Sequence, residues 1–325
     1  MAKYKVYVTD KSFPAYDHLV DKLKKHDADM IFASANNEDT FITEAADADV
    51  IFNSFALVTK KFIEKLTKCK MIIRTGIGVN TIDVDAATAK GIMVSYVPDY
   101  CRDEVADHSA ALILAAVRKI RFLDKRVREG IWNSVEAGYV LKLNGKVLGI
   151  CGFGAIAQRV AKRMQAFGME ILAYDPYLED EIFKINKVKR AKEIDEIFTS
   201  ADVISLNLPL TEETKYIINK DSIEKMKNNV FIINTARGPL VNENDLIKAL
   251  KSGKIAGAGI DVFEEEPIQP DNPLCKLENV VLTPHAAYYS VESLPELQKK
   301  SIEEVIRVLN GEFPLNWLNK AELNK

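Results

Sequence analysis

The sequence predicts an α/β protein made of two doubly wound parallel sheets, and three observations lead to it. Residues 1 to about 100 alternate short β-rich runs with helical stretches. A strand–turn–helix–strand unit fills 146–175, and the same rhythm resumes from 202 to 287. Alternation on this length scale closes most simply into open parallel sheets with helices on both faces.

In the first stretch the strands read KVYVTD (5–10), DMIFAS (29–34), DVIFNS (49–54), MIIRTG (71–76) and IMVSYV (92–97). Helical segments lie between them at 16–26, 59–67 and 83–89. The first strand runs into Asp10-Lys11-Ser12-Phe13-Pro14, with no glycine-rich turn. This half is therefore expected to face a substrate and not a nucleotide.

One long helix is expected from Asp103 to Glu129, preceded by Pro98 and closed by Gly130. Its first half is rich in alanine (Ala106, Ala110, Ala111, Ala115, Ala116) and its second half is basic. Small residues let another backbone approach, and cations suit the end of a helix dipole. Two readings follow: a buried crossover helix with a solvated end, or a domain link that also forms a homodimer interface.

The stretch from Lys146 to Asp175 carries the nucleotide signal. An apolar strand, Val147 to Cys151, turns through Gly152-Phe153-Gly154 into a helix with Ile156, Val160, Met164 and Phe167 on one face. Gly168 ends the helix, and Glu170 to Tyr174 forms a second strand ending on Asp175. Gly152 permits the tight turn and Gly154 the approach of a pyrophosphate to the helix N-terminus. Ala157 takes the third glycine position, where a small residue is needed. Asp175 stands 21 residues after Gly154. There a carboxylate accepts bonds from ribose hydroxyls and repels a 2′-phosphate, so NAD is expected over NADP.

The last strands read DVISLNLP (202–209), VFIINTA (230–236), KIAGAGIDVF (254–263) and NVVLTPHAA (279–287), followed by an amphipathic helix at about 291–309. Ligands of doubly wound sheets sit at the carboxyl ends of strands. Three such ends carry polar residues: Asn-Thr-Ala-Arg237-Gly238-Pro239, Glu264-Glu265-Glu266-Pro267 and Pro284-His285. Together they offer a guanidinium, a carboxylate and an imidazole.

A length of 325 residues suits two domains, and 47% hydrophobic with 28% charged residues suits a globular protein. A net charge of −3 speaks against nucleic acid or an anionic membrane as the main partner. The apolar run Ala110 to Val117 is too short to span a bilayer. Four scattered cysteines show neither CxxC nor metal-ligand spacing, and the N-terminus reads as a strand and not as a signal peptide. A reducing cytoplasm and no metal are expected.

NTARGPLVNENDL, GIDVFEEEP and TPHAA, with RTGIGVNTID at 74–83, resemble the signature blocks of the D-isomer-specific 2-hydroxyacid dehydrogenases along essentially the whole chain. VPDYCRDEVADH (97–108) and TPHAAYYS (283–290) look most like the C-terminal-binding protein branch and its bacterial relatives. The resemblance implies a Rossmann NAD-binding domain (101–289) inserted in a flavodoxin-like catalytic domain (1–100 plus 290–325). It implies NAD-dependent interconversion of a 2-oxo acid and a D-2-hydroxy acid. Arg237 would grip the substrate carboxylate, His285 would donate the proton to the keto oxygen, and Glu266 would hold the imidazolium. The amides of Ile77 and Gly78 would give a second carboxylate hold. Cofactor positions would be Cys101, Gly152, Phe153, Gly154, Ala155, Ile156, Asp175, Leu208, Thr214, Thr235, Ala236 and Asp261, the last facing the carboxamide.

Departures from the pattern are Asn207 for His, Asn80 for Asp, and Tyr288 for a pocket tryptophan; Tyr100 and Tyr289 either edge the pocket or are surface aromatics. Glu264 and Glu265 are expected to be solvated and His108 structural. Glu266 in place of Gln disfavours formate oxidation. An NAD(H)-responsive corepressor-like scaffold is an alternative, set back by the dozen or so residues that follow the last helix. D-3-phosphoglycerate oxidation is another, with no appended regulatory domain expected.

Overall fold

The computed structural model describes residues 2–13 and 15–323; Pro14, the last residue of the Asp10–Pro14 stretch read above, lies outside them. The chain forms two compact units, one of residues up to Tyr100 with those from Ser290 onward, the other from Cys101 to Tyr289. No helix among the described residues is long and apolar enough to cross a membrane.

The first unit holds strands β1 (Tyr4–Val8), β2 (Ala28–Phe32), β3 (Val50–Asn53), β4 (Met71–Arg74) and β5 (Met93–Tyr96), all parallel, in the order β2-β1-β3-β4-β5. That is the flavodoxin-like order. Strands β3 and β4 are buried on both faces, which is why they read as unbroken apolar runs. The turn after β1 is spent on its own unit, because the Asp10 carboxylate accepts the amides of Ser54 (3.0 Å) and Phe55 (2.6 Å). The C-terminal segment closes this unit. Helix Ser293–Leu309 buries Leu297, Ile302, Val305 and Val308. Buried Asn319 then bonds the Val94 amide (2.8 Å) and the Ile92 carbonyl (3.0 Å).

The second unit holds β6 (Val147–Cys151), β7 (Glu170–Tyr174), β8 (Lys189–Arg190), β9 (Val203–Leu206), β10 (Val230–Asn234), β11 (Ile255–Ile260) and β12 (Val280–Leu282). They are parallel in the order β12-β11-β10-β9-β6-β7-β8, the doubly wound Rossmann arrangement, with its reversal between β6 and β9. The strand pleat sends Val203, Phe231 and Ile233 into one core and Ile204, Leu206 and Ile232 into the other. Cys151 is a small core residue whose thiol burial pushes up to about 12, out of reach of nucleophilic use.

The single helix expected over 103–129 is two. Helix Arg102–Val117 buries eight residues, including Ala106, Ala110 and Ala116, whereas helix Ile120–Arg128 buries none. The break is at Lys119, which takes a left-handed conformation (φ 55°). Its ammonium donates to the Ala256 carbonyl at 2.7 Å, and the Arg121 guanidinium donates to the carbonyls of Leu277 and Val280. Bonds to the sheet's amino-terminal edge thus turn the chain where its burial ends. Ala106, Ala110 and Ala116 pack inward while Ala111 is exposed; the helix lies close to helix Ala155–Ala166, and ion pairs of Arg163 with Asp103 and Asp107 lace the rim.

Gly149 of β6 measures how closely a helix lies on this sheet. A Cβ there would stand 2.5 Å from Ile197 Cγ2 and 2.8 Å from Ala201 Cβ. Gly149→Ala is expected to cost about 1–3 kcal/mol of unfolding free energy by overpacking. Urea titration followed by far-UV circular dichroism checks it, and an unchanged midpoint would show that the helix gives way freely.

Candidate active site

The site grows from the carboxyl ends of the second unit's strands. After β6 the chain turns at Gly152 (φ 81°), where a side chain would strike the Asn207 carbonyl oxygen at 2.7 Å. Gly154 caps helix Ala155–Ala166, and a Cβ built on it meets nothing within 4 Å. The helix N-terminus therefore opens onto free space with its first amides unmet by helical carbonyls, which suits a pyrophosphate. Asp175, at the end of β7, accepts the Phe153 amide at 2.9 Å and the Tyr177 amide at 3.0 Å. Each oxygen keeps a second lone-pair direction for a ribose hydroxyl.

The other expected cofactor positions lie on the same rim. Cys101 is buried at the start of helix Arg102–Val117, and Leu208 is buried past β9. The Thr214 hydroxyl donates to the Pro209 carbonyl (2.7 Å), fixing its own loop. Thr235 shares a 2.7 Å hydrogen bond with Ser109, and the Ala236 amide donates to Asn234 Oδ1 (3.1 Å). Phe153 is fully buried against Phe183 with ring centroids 5.0 Å apart, so only its backbone is offered to a ligand. Ala155 and Ile156 form the first helical turn and stay partly exposed.

Arg237, Glu266 and His285 come from the loops after β10, β11 and β12 and are brought together. His285 Nδ1 stands 2.7 Å from Glu266 Oε2, and the second Glu266 oxygen accepts the Phe263 amide at 2.9 Å. Burial alone would push the Glu266 carboxyl up. The His285 hydrogen bond and charge, the Phe263 amide and the Arg237 charge outweigh burial and hold it below its ordinary range. The loops meet because residue 238 is glycine: a Cβ there would lie 1.8 Å from the Phe263 carbonyl oxygen. Tyr288 sets its ring edge-on to His285, centroids 6.2 Å apart. Tyr289 is exposed, while Tyr100 is buried in the first unit. In that unit Ile77 and Gly78 follow β4, and Asn80 is exposed.

Three side chains have environments their neighbours in sequence did not announce. Asp261 is fully buried, and its carboxylate accepts the Thr283 hydroxyl (2.5 Å) and the amides of Ala286 (2.8 Å) and Ala287 (3.0 Å). It braces the loop that carries His285. Glu264, expected to be merely solvated, accepts the Glu243 amide (2.6 Å) and the Tyr216 hydroxyl (3.2 Å). His108 reaches Thr283 with Nε2 to Oγ1 at 2.9 Å. Its seven-residue spacing from Cys101, two helical turns, was the available signal.

The sequence model of the D-isomer specific 2-hydroxyacid dehydrogenase NAD binding domain matches residues 110–287. The chain is 40% identical over 320 residues to the D-3-phosphoglycerate dehydrogenase of Methanocaldococcus jannaschii, covering 98% of this chain but spanning only 60% of that relative's length. It is 37% identical over 312 residues to the hydroxypyruvate reductase of Thermotoga maritima, covering 95% of this chain and 99% of that one. The crystal structure of a glyoxylate reductase from Paecilomyes thermophila superposes with a TM-score of 0.90 at 29% identity, covering 99% of this chain and 100% of that chain.

Glu266→Gln keeps the shape of the acceptor and removes its charge. The hydrogen bond to His285 Nδ1 then loses its charge assistance, so the ring ¹⁵N signal of Nδ1 is expected to shift. Histidine ¹⁵N spectra of the two proteins check this, and an unmoved signal would show that Glu266 does not hold the ring.

Proposed function

This chain belongs to the D-isomer specific 2-hydroxyacid dehydrogenases, and on that premise we propose that it reduces a small 2-oxo acid to the D-2-hydroxy acid at the expense of NADH. The observation that carries the reading is the His285–Glu266 pair at 2.7 Å, placed with Arg237 at three adjacent strand ends. When bound, NADH supplies the hydride to the carbonyl carbon. The chain does the rest. Arg237 holds a planar carboxylate through two parallel N–H bonds, which a lysine could not do. Nδ1 donates to the Glu266 carboxylate, and in this reading Nε2 gives its proton to the keto oxygen. In the reverse direction the neutral ring takes that proton back. Asp175 favours NADH over NADPH, since a 2′-phosphate would meet its carboxylate.

Relatives named hydroxypyruvate reductase and glyoxylate reductase support a small polar substrate. The 40% match to a D-3-phosphoglycerate dehydrogenase favours phosphohydroxypyruvate as a second candidate. Steady-state NADH oxidation with glyoxylate, hydroxypyruvate, pyruvate and 3-phosphohydroxypyruvate separates them. Tight NADH binding without turnover of any would favour the scaffold reading, which the 97–108 block suggests. His285→Ala is expected to lower turnover by roughly 10²–10⁴-fold with NADH binding kept; equal turnover in the variant would remove His285 from the mechanism.

A homodimer belongs to the same proposal. Helix Ile120–Arg128 and the segment after it expose Ile120, Val127, Trp132 and Val135, the last two at 91% and 83%. Apolar side chains so clustered and so bare call for a cover. Light scattering is expected to give twice the chain mass for the native protein and a monomer for Trp132→Asp with Val135→Asp; a native monomer refutes the interface.

A further inference from the structure

The neighbourhood of His285 contains a second histidine, His108, that the mechanism above does not use. It projects from helix Arg102–Val117, and its Nε2 lies 2.9 Å from Thr283 Oγ1 and 3.5 Å from Asp261 Oδ1. The Thr283 hydroxyl has one proton, and it donates that proton to Asp261 at 2.5 Å. Toward His108 the same oxygen can therefore only accept. That assigns the tautomer: His108 carries hydrogen on Nε2, and the donors run in one direction, imidazole to hydroxyl to carboxylate.

The chain of bonds ends on the loop that holds the proton donor. Asp261 accepts the Ala286 and Ala287 amides (2.8 and 3.0 Å), and its backbone carbonyl accepts the His285 amide at 2.8 Å. His285 itself sits at φ 51°, a left-handed conformation uncommon for a side chain of its size. A residue held there stays only while its surroundings over-determine it. The bonds from Asp261 do so on one side. Thr283, at the start of the loop, is fixed in turn by the imidazole above it.

Resting on the dehydrogenase reading, we propose that His108 is a positioning residue for the proton donor: it orients Thr283 on Asp261 and thereby holds the 283–287 loop in the left-handed turn that aims His285. The neighbouring Ser109 does the equivalent for the β10 end by sharing a hydrogen bond with Thr235, two residues before Arg237. One helix thus steadies two of the three loops.

His108→Leu removes the donor and keeps an apolar side chain of similar reach, while His108→Gln restores an N–H near the position of Nε2. For His108→Leu, kcat is expected to fall about 10- to 100-fold, the scale set by misplacing a reacting group by an ångström, with KM for NADH unmoved. His108→Gln should recover most of the loss. Thr283→Val breaks the same chain one bond later, so the double variant should be no slower than Thr283→Val alone. Should leucine unfold the domain, Thr283→Val carries the same kinetic test. Unchanged kcat in His108→Leu, a glutamine variant as slow as the leucine one, or additive losses would each overturn the proposal. Wild-type turnover tests the dehydrogenase reading separately. The ring ¹⁵N signals of His285, one of only four histidines, read the loop without any substrate: a changed Nδ1–H signature in His108→Leu supports the role, and an identical one refutes it.

Discussion

A carboxylate taken wholly out of water costs several kcal/mol unless donors replace the lost solvent, and Asp261 is in that position. Its donors are a hydroxyl and two amides of the 283–287 stretch, so the burial of Asp261 and the folding of that loop satisfy each other. Remove the loop and the carboxylate is stranded; remove the carboxylate and the loop loses what holds His285 at positive φ. Backbone strain of that kind runs to about 1–3 kcal/mol, which three charge-assisted bonds can offset. The placement of His285 therefore depends on a residue that never touches solvent.

The sheet order decides which loops can cooperate. In a parallel sheet all carboxyl ends fall on one edge, and the reversal between β6 and β9 opens a crevice there. Strands β10, β11 and β12 are hydrogen-bonded neighbours, which makes Arg237, Glu266 and His285 adjacent despite long separations in sequence. Adjacency of strands alone would leave a side chain's width between the loops. Gly238 removes it, allowing the backbone to press against the Phe263 carbonyl and bringing the guanidinium to act on Glu266.

Much of this was legible in the sequence, and the reasons differ by element. Strands 147–151 and 170–174 were readable to the residue, because each is a mostly apolar run closed by a glycine or an aspartate. The three polar strand ends stood out because nothing in folding requires an arginine, a glutamate and a histidine there. The break at Lys119 was not legible. Lysine is a good helix former, and the bonds of Lys119 to Ala256 and of Arg121 to Leu277 and Val280, all more than a hundred residues away, make the left-handed turn worthwhile. The bonds of Glu264 to Glu243 and Tyr216 were hidden for the same reason. Local pattern reports which face is buried; it does not report which distant carbonyl or amide needs a partner.

In the reading proposed above, the two histidines of the second unit have opposite uses. His285 meets a carboxylate at Nδ1, which fixes a proton there, and the proposed reaction uses its Nε2. His108 meets a hydroxyl at Nε2 whose own proton is committed to Asp261, so its Nε2 proton is committed as well. The rings thus differ in what they meet: a carboxylate at Nδ1 in one case, and at Nε2 a hydroxyl that can only accept in the other. The sequence context of each, after proline in one case and within a helix in the other, carries no trace of this difference. It follows instead from the acceptor each ring meets, Glu266 of the β11 loop for His285 and Thr283 of the β12 loop for His108, on two strands that pair side by side.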